Sequence, residues 1–311
     1  MPTREELDLM AEVARLHYLQ GVNRVDIADR LDISRFKVSR LLEAAVSSGV
    51  VTITIRPTER NDPELSSALT ERFSLRTAHA VPISSPEPDV LRARLGEAGA
   101  NLLTEIITAD DVLGLDAGRT VSHIADYLSS LPACEAVQLS GLAGAVQQTG
   151  LELLRRVTLI SGGTAHPLYA PMLALDARSA ATLREQPMIA STIERYAAVT
   201  VAVVSVGAWA PPESQVYDRL SEQERRQLLG AGVVAETCAL MFDLNGRPVP
   251  MIDDRRVGIS LEALRQVPNV IAIAGGEAKA PAILALLKSG VINTLVTDTV
   301  TAKQLLAQAA T

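Results

Sequence analysis

The chain has 311 residues, of which 48% are hydrophobic and 21% charged, and this balance excludes a largely disordered protein. Only 3% are aromatic, so the core must consist of alanine and aliphatic residues, as in α/β proteins. The formal net charge of −7 argues against a chain that binds nucleic acid over its whole surface. Two distant cysteines, four scattered histidines, a charged amino terminus and short apolar stretches predict a cytoplasmic protein without metal site, cofactor or membrane segment.

The first 55 residues have the pattern of a small helical unit. Residues 5–20 carry apolar side chains every three to four positions and predict a helix that Gly21 would end. Residues 24–31 predict a second, short helix. Ser34 is placed to cap a third helix that runs to about residue 48. Residues 50–55 alternate branched and polar side chains and predict a strand beside these helices.

The third helix has the features of a DNA recognition helix. Between residues 34 and 60 there are five basic and two acidic side chains, a local excess of three positive charges in an acidic chain. A recognition helix presents its amino-terminal residues to base edges in the major groove. The DNA contacts are therefore expected from six residues: Ser34, Arg35, Phe36, Lys37, Ser39 and Arg40. The alternative is a three-helix packing module without a role in DNA binding.

A polar, proline-bracketed segment divides the chain. We expect a winged helix-turn-helix domain at residues 1–56, a linker at 57–63 and a larger domain at 64–311. The larger domain begins with a helix at residues 64–73 and has a long helix at about 89–107. Its strands are predicted at residues 77–82, 111–115, 136–139, 156–159, 199–206, 270–274 and 294–297. Strands that alternate with helices predict a doubly wound, mostly parallel α/β sheet.

Four blocks in the second half of the chain, together with the helix-turn-helix, carry a family resemblance. They are residues 242–249, 257–265, 270–280 and 292–298. Over essentially its whole length the chain resembles the SorC family of sugar-responsive bacterial regulators, loosely grouped with DeoR-type regulators. The resemblance implies an effector domain related in fold to sugar-phosphate isomerases and deaminases. It also implies a double-stranded DNA operator, a phosphorylated sugar effector, and assembly as a homodimer or homotetramer.

A glycine-containing loop after the strand at 111–115 is the first candidate for effector binding. Gly118 permits a sharp turn, and the amides of the following helix start, with Arg119 and the hydroxyl of Thr120, could bind a phosphate. The resemblance implies the same use. Asp116 departs from the uncharged residue of many relatives and could accept hydrogen bonds from sugar hydroxyls. The alternative is an ordinary turn between a strand and a helix.

A second loop opens another helix with Gly275, Gly276 and Lys279. Lys279 is conspicuous because the chain has four lysines and 25 arginines. It could pair with a phosphate, form a Schiff base in an enzyme, or simply lie in solvent at a helix start. By the resemblance, Glu236 holds ligand hydroxyls. Gly141 is expected in the pocket wall, which His166 and Tyr169 could close.

These features predict a transcriptional regulator of carbohydrate catabolism genes, controlled by a phosphorylated sugar. Effector binding would change the arrangement of subunits, and hence the spacing of paired recognition helices. The alternative is a sugar-phosphate isomerase- or deaminase-like enzyme with a fused DNA-binding module. Against it, the sequence shows no nucleophile–base pair near the predicted loops. A weaker alternative is an adaptor that binds proteins and not DNA.

Overall fold

The computed structural model describes residues 4–51, 61–143 and 150–309, with the side chains from residue 6 onward. The chain divides into two compact units, residues 1–58 and 59–311, and the division falls in the segment predicted as a linker. Most of the predicted wing strand at residues 50–55, and of the linker, lies outside the described residues. Within the described ranges, no helix has the length and apolar character needed to cross a membrane.

The N-terminal unit contains the helix-turn-helix that its sequence predicts. Its helices are α1 (Arg4–Ala14), α2 (Arg24–Leu31) and α3 (Arg35–Ser47), and a π-helical turn (Arg15–Leu19) extends α1. Asn23 and Ser34 cap α2 and α3 because their side-chain oxygens accept hydrogen bonds from first-turn amides. Asp32 has a positive φ of 51°, which reverses the chain between α2 and α3. The buried core consists of Met10, Val13, Ala14, Ile27, Ala28, Val38, Leu41, Leu42 and Ala45.

The C-terminal unit alternates strands with helices. Its strands are β1 (Thr77–Val81), β2 (Val112–Leu115), β3 (Glu135–Gln138), β4 (Ala165–His166), β5 (Val201–Val204), β6 (Gly207–Trp209), β7 (Pro212–Glu213), β8 (Val233–Thr237), β9 (Leu240–Asp243), β10 (Asn269–Ile273) and β11 (Thr294–Asp298). Its α-helices are α4 (Pro63–Phe73), α5 (Pro88–Ile106), α6 (Arg119–Ser122), α7 (Ile124–Tyr127), α8 (Gly150–Ser161), α9 (Ala177–Arg184), α10 (Pro187–Glu194), α11 (Gln215–Arg219), α12 (Glu222–Gly230), α13 (Leu261–Gln266), α14 (Ala280–Ser289) and α15 (Thr299–Ala309). A 3₁₀ turn, Glu277–Lys279, leads into α14. This alternation confirms the predicted α/β class.

Seven strands form one parallel sheet in the order β1-β11-β10-β5-β2-β3-β4. The order reverses between β5 and β2, which makes this pair the topological switch point of a doubly wound sheet. Side chains on β5 alternate between the two faces: Val201 and Val203 join one buried cluster, and Ala202 and Val204 the other. Helices therefore cover both faces of this sheet, as predicted.

One predicted strand was wrong. Residues 156–159 lie inside helix α8, where Leu153, Leu154 and Val157 are buried at helical spacing. A short apolar run alone does not distinguish a strand from a buried helix face, because both bury a few neighbouring aliphatic side chains.

A small antiparallel sheet was not predicted. Its strands have the order β7-β6-β8-β9, and two of them are only two or three residues long. One face packs into the same core as α14, and Trp209, Met241 and Val233 lie in a separate buried cluster. This second sheet contributes Glu213 and Glu236 to the site described below.

The predicted linker at 57–63 ends inside the C-terminal unit. Asp62 caps α4 by accepting a hydrogen bond from the Leu65 amide at 3.1 Å, and its own amide donates to the carbonyl of Ala80 at 2.8 Å. Pro63 is the first residue of α4. These residues are therefore part of the folded unit.

Candidate functional site

A cavity lies at the carboxyl ends of β2 and β5. Open α/β sheets place ligands at such a switch point. Of the predicted effector-binding residues, the structure brings six to this cavity: Asp116, Gly118, Arg119, Thr120, Glu236 and Lys279. An adjoining cavity shares Thr120, Glu213 and Lys279, and is also lined by Gly275 and Gly276.

Asp116 is a buried hydrogen-bond hub at the end of β2. Its Oδ1 accepts from the Ser140 hydroxyl at 2.6 Å, and its Oδ2 accepts from the Ser205 hydroxyl at 2.9 Å. The amides of Ser205 and Cys238 donate to Oδ2 at 3.2 and 3.4 Å. Of the hydrogen bonds described for this carboxylate, Oδ2 accepts three and Oδ1 one, although each oxygen offers about two acceptor positions. Asp116 thus ties together the ends of β2, β3 and β5 and the turn after β8.

Glu236, on β8, places a buried carboxyl group in the cavity wall. The Ser214 hydroxyl donates to its Oε1 at 2.8 Å. The carboxyl group packs against the backbone of Gly207, where any side chain would collide with it. Burial, and then the nearby negative charge of Asp116, raise the pKa of Glu236 to about 7. Near neutral pH this group can therefore both donate and accept hydrogen bonds.

Three cationic side chains converge on another carboxylate, that of Glu213, in the cavity wall. Arg119, Lys279 and Arg92 lie 3.5, 3.6 and 3.9 Å from the same oxygen, Oε2 of Glu213. Lys279 is 13% exposed, and it donates to the carbonyl of Val206 at 3.1 Å. Burial lowers the pKa of Lys279, and Glu213 opposes that shift. Arg92 also pairs with Asp89 at 3.1 Å, so three positive charges and two negative charges leave this cluster with a local excess of one.

The glycines of the two predicted loops have different roles. Gly118 lies so close to Ser205 that a Cβ at residue 118 would be 2.5 Å from the serine Cβ. Gly276 has a φ of +99°, which favours glycine. Its amide donates to Asp298 at 2.8 Å and to the Thr301 hydroxyl at 2.9 Å, so it is already satisfied.

The structure does not bring Gly141, His166 or Tyr169 to the described lining of the cavity. Gly141 packs against the backbone of Pro171, and its amide donates to the carbonyl of Val257. His166, on β4, is 3.0 Å from Glu135, and Tyr169 is 52% exposed.

Sequence reasoning missed Arg92, Ser205, Glu213 and Ser214. Ser205 lies near the carboxyl end of the predicted strand 199–206, and that position was a usable signal. Arg92 and Glu213 had none, because the one lies on a long helix outside both predicted loops and the other on an unpredicted two-residue strand.

The predicted DNA-binding residues lie together on the first two turns of α3. Arg35, Phe36, Lys37 and Arg40 are exposed, while Val38 between them is buried in the core. The Arg35 guanidinium lies 5.1 Å from the centre of the Phe36 ring, which is 70% exposed. Arg24, from α2, donates to the Ser39 hydroxyl at 3.4 Å. This face combines cationic groups with an exposed aromatic ring.

The chain is similar to known regulators over nearly its whole length. Residues 59–307 match the Sugar-bind family, described as "Putative sugar-binding domain". The transcriptional regulator LsrR of Klebsiella pneumoniae is 32% identical, covering 98% of this chain and 94% of the relative. LsrR of Escherichia coli K12 is 30% identical, with 97% and 95% covered.

Solved structures support the same assignment. The full-length sorbitol operon regulator SorC from Klebsiella pneumoniae aligns with a TM-score of 0.73 and 25% identity, covering 97% of this chain and 99% of that one. A transcriptional regulator from Streptococcus pneumoniae has the same fold in the C-terminal unit, with a TM-score of 0.74 and 23% identity over 80% of this chain and 97% of that chain. The chain therefore belongs to the SorC family of sugar-responsive transcriptional regulators, as its sequence motifs predicted.

Proposed function

We propose that this regulator controls carbohydrate catabolism genes and that its effector is a phosphorylated sugar bound in the cavity beside Asp116. One observation carries the proposal: the cavity brings hydrogen-bonding groups and cationic groups together. Glu236 and Ser214 supply acceptor and donor groups, Arg119 and Lys279 supply positive charge, and Arg92 lies close to Arg119 and Lys279, against the same Glu213 oxygen. A sugar phosphate has the matching arrangement of hydroxyl groups and a dianion.

Glu236 is the proposed contact for the hydroxyl groups of the sugar. A buried carboxylate makes strong, charge-assisted hydrogen bonds to hydroxyl groups. Asp116 has two roles in this proposal: its oxygens accept from serine hydroxyls and amides of three segments, and Oδ1, with one such bond, is a candidate acceptor for a sugar hydroxyl. It positions the ends of the strands that form the cavity floor.

For the phosphate group of the effector, Arg119 and Lys279 are the proposed ligands, supported by the hydroxyl of Thr120. Arginine binds phosphate through its planar fork, and lysine binds it as a point charge. Gly118 lets the loop pass close to Ser205, and the loop of Gly275 and Gly276 leaves space beside Lys279.

For DNA, we propose that Ser34, Arg35, Phe36, Lys37, Ser39 and Arg40 contact a double-stranded operator. A single N-terminal unit offers few cationic groups, so a homodimer or homotetramer that presents paired α3 helices is expected to bind best. The effector regulates binding only if it prefers one arrangement of these subunits.

The alternative enzyme has one observation in its favour. Glu236 has a pKa near 7, and the pKa of the nearby Lys279 is lowered, as in sites that transfer protons or form Schiff bases. The relatives are transcriptional regulators, which favours a binding role for the same groups. Turnover of a sugar phosphate by the purified protein would establish the enzyme.

The test is a thermal-shift screen against a panel of sugar phosphates and their unphosphorylated parents. We expect at least one sugar phosphate, and not its parent, to raise the Tm of the C-terminal unit. Lys279→Ala should weaken that ligand roughly tenfold to a hundredfold, the effect of losing one charged hydrogen bond, and leave DNA binding intact. Lys288→Ala is the matched control, since Lys288 lies exposed at the other end of α14. A blank screen, or full affinity in Lys279→Ala, would contradict the proposal.

A further inference from the structure

Glu213 occupies the place where an anionic ligand would bind. Three cationic side chains, Arg119, Lys279 and Arg92, lie 3.5 to 3.9 Å from one atom, its Oε2, and Arg92 also pairs with Asp89 at 3.1 Å. These separations are longer than a normal hydrogen bond, so the carboxylate is held by charge more than by geometry. Its side chain is 36% exposed. It lies on β7, the two-residue edge strand of the antiparallel sheet.

We propose that Glu213 is a specificity-determining residue: an internal competitor anion that the anionic group of the effector must displace. This inference rests on the proposed function and deepens it. A phosphate monoester carries up to two negative charges and a glutamate one, so the exchange gains attraction to the same three cations. A neutral sugar offers no charge and leaves Glu213 in place. The site then rejects unphosphorylated sugars because they cannot displace Glu213 from the cationic side chains.

Displacement of Glu213 also affects Glu236, because Ser214, the next residue in the chain, is bonded to Glu236. The Ser214 hydroxyl donates to Glu236 at 2.8 Å and caps α11 by accepting from the Tyr217 amide at 3.0 Å. A movement of β7 therefore alters the group proposed to hold the sugar. The anionic and hydroxyl ends of the effector thus act on adjacent residues of one short segment.

The molecule contains a natural reporter for this movement. Trp209 is its single tryptophan, and it pairs with Pro212, next to Glu213, across the β6–β7 hairpin. Its ring is buried and lies 5.2 Å from the ring of Tyr217, at the start of α11. A shift of β7 against β6 would change the surroundings of this indole.

The experiment compares inorganic phosphate binding to the full-length protein and to Glu213→Gln, by calorimetry at pH 7.5 and constant ionic strength. Glutamine keeps the size of the side chain and removes its charge, so phosphate should bind roughly tenfold more tightly. Glu222→Gln, which alters an exposed carboxylate on α12, should bind like the unaltered protein. Phosphate should change Trp209 fluorescence in the unaltered protein, and Glu213→Gln should show most of that change without phosphate.

Equal phosphate affinities for Glu213→Gln and the unaltered protein would overturn the inference, as would phosphate binding to neither. If Glu213→Gln fails to fold, Glu213→Asp replaces it. Aspartate draws the carboxylate back by one methylene, so this variant should also bind phosphate more tightly than the unaltered protein. An equal tightening for a neutral sugar would indicate a loosened fold and would also overturn the inference. The proposed function fails separately, when no sugar phosphate stabilises the unaltered protein.

Discussion

The two units of the chain assemble their candidate sites in different ways. The DNA-reading face comes from consecutive residues, 34–40, on one capped helix. The cavity takes its polar groups from segments that are far apart in the chain, from Arg92 to Lys279. A site on one helix inherits its geometry from helical periodicity, whereas a site at a switch point depends on the packing of the whole sheet. Changes in the first should act locally, and changes in the second should be felt throughout the C-terminal unit.

The largest effect is expected at the DNA-reading face. Arg35→Ala combined with Arg40→Ala should weaken operator binding by roughly a hundredfold or more, because each arginine contact contributes about 1–3 kcal/mol. The measurement is a salt titration of binding to a duplex that the unaltered protein selects from a random pool. Arg226→Ala, an exposed position on α12, is the control. Loss of effector-induced stabilisation in the double variant would contradict the separation of the two sites.

The next effect concerns the hub around Asp116. Ser140→Ala combined with Ser205→Ala removes two hydroxyl donors from a buried carboxylate. The free energy of unfolding of the C-terminal unit should fall by roughly 2–4 kcal/mol. Trp209 lies in that unit alone, so its fluorescence during urea unfolding reports the change. Ser67→Ala, at an exposed position on α4, should leave the transition in place; an equal midpoint in the double variant would rule out the hub.

Glu236 should give the C-terminal unit a pH dependence. The pKa of Glu236 rises from 4.5 to about 7 on folding, so between these values the folded state binds more protons than the unfolded state. Stability from this group is therefore present at low pH and is lost as pH rises through 7. Glu236→Gln lacks this titration. Between pH 5 and pH 8, the free energy of unfolding of the unaltered protein should therefore fall by roughly 2 kcal/mol relative to that of Glu236→Gln, and its Tm should fall relative to the Tm of the variant. If the Tm values of the two proteins change with pH in the same way, this prediction is refuted.

The smallest effect is expected from the cap of α3. Ser34→Ala removes the oxygen that accepts from the Lys37 amide at 3.2 Å and should lower the stability of the N-terminal unit by about 1 kcal/mol. Ser47→Ala, at the exposed carboxyl end of the same helix, should cost less. Helical circular dichroism of the two variants during heating makes the comparison. A larger loss in Ser47→Ala would mean that Ser34 does not set the start of α3.

The sequence was sufficient wherever the relevant interaction is local. The bounds of α2, the cap of α3, and the parallel strands that precede glycine-containing turns follow from spacing and capping rules. The sheet order follows less directly, because the pairing of β1 with β11 joins opposite ends of the unit. The convergence of Arg92, Arg119 and Lys279 on Glu213 depends on that order and could not be read from spacing. The hydrogen bonding of Asp116 was equally hidden, since three of its donors come from Ser205 and Cys238.

Asp298 has a mechanical consequence that follows from its place in the sheet. It accepts from the Gly276 amide beside the adjoining cavity, and it is paired in register with Val81 at the end of β1. The neighbouring Ala80 accepts from the amide of Asp62, the residue that opens α4. Tension applied to the chain where it enters the C-terminal unit therefore acts on the same strand pair that holds the glycine loop. Asp62, where the chain enters the C-terminal unit, and the glycine loop at the adjoining cavity are therefore connected through β1 and β11.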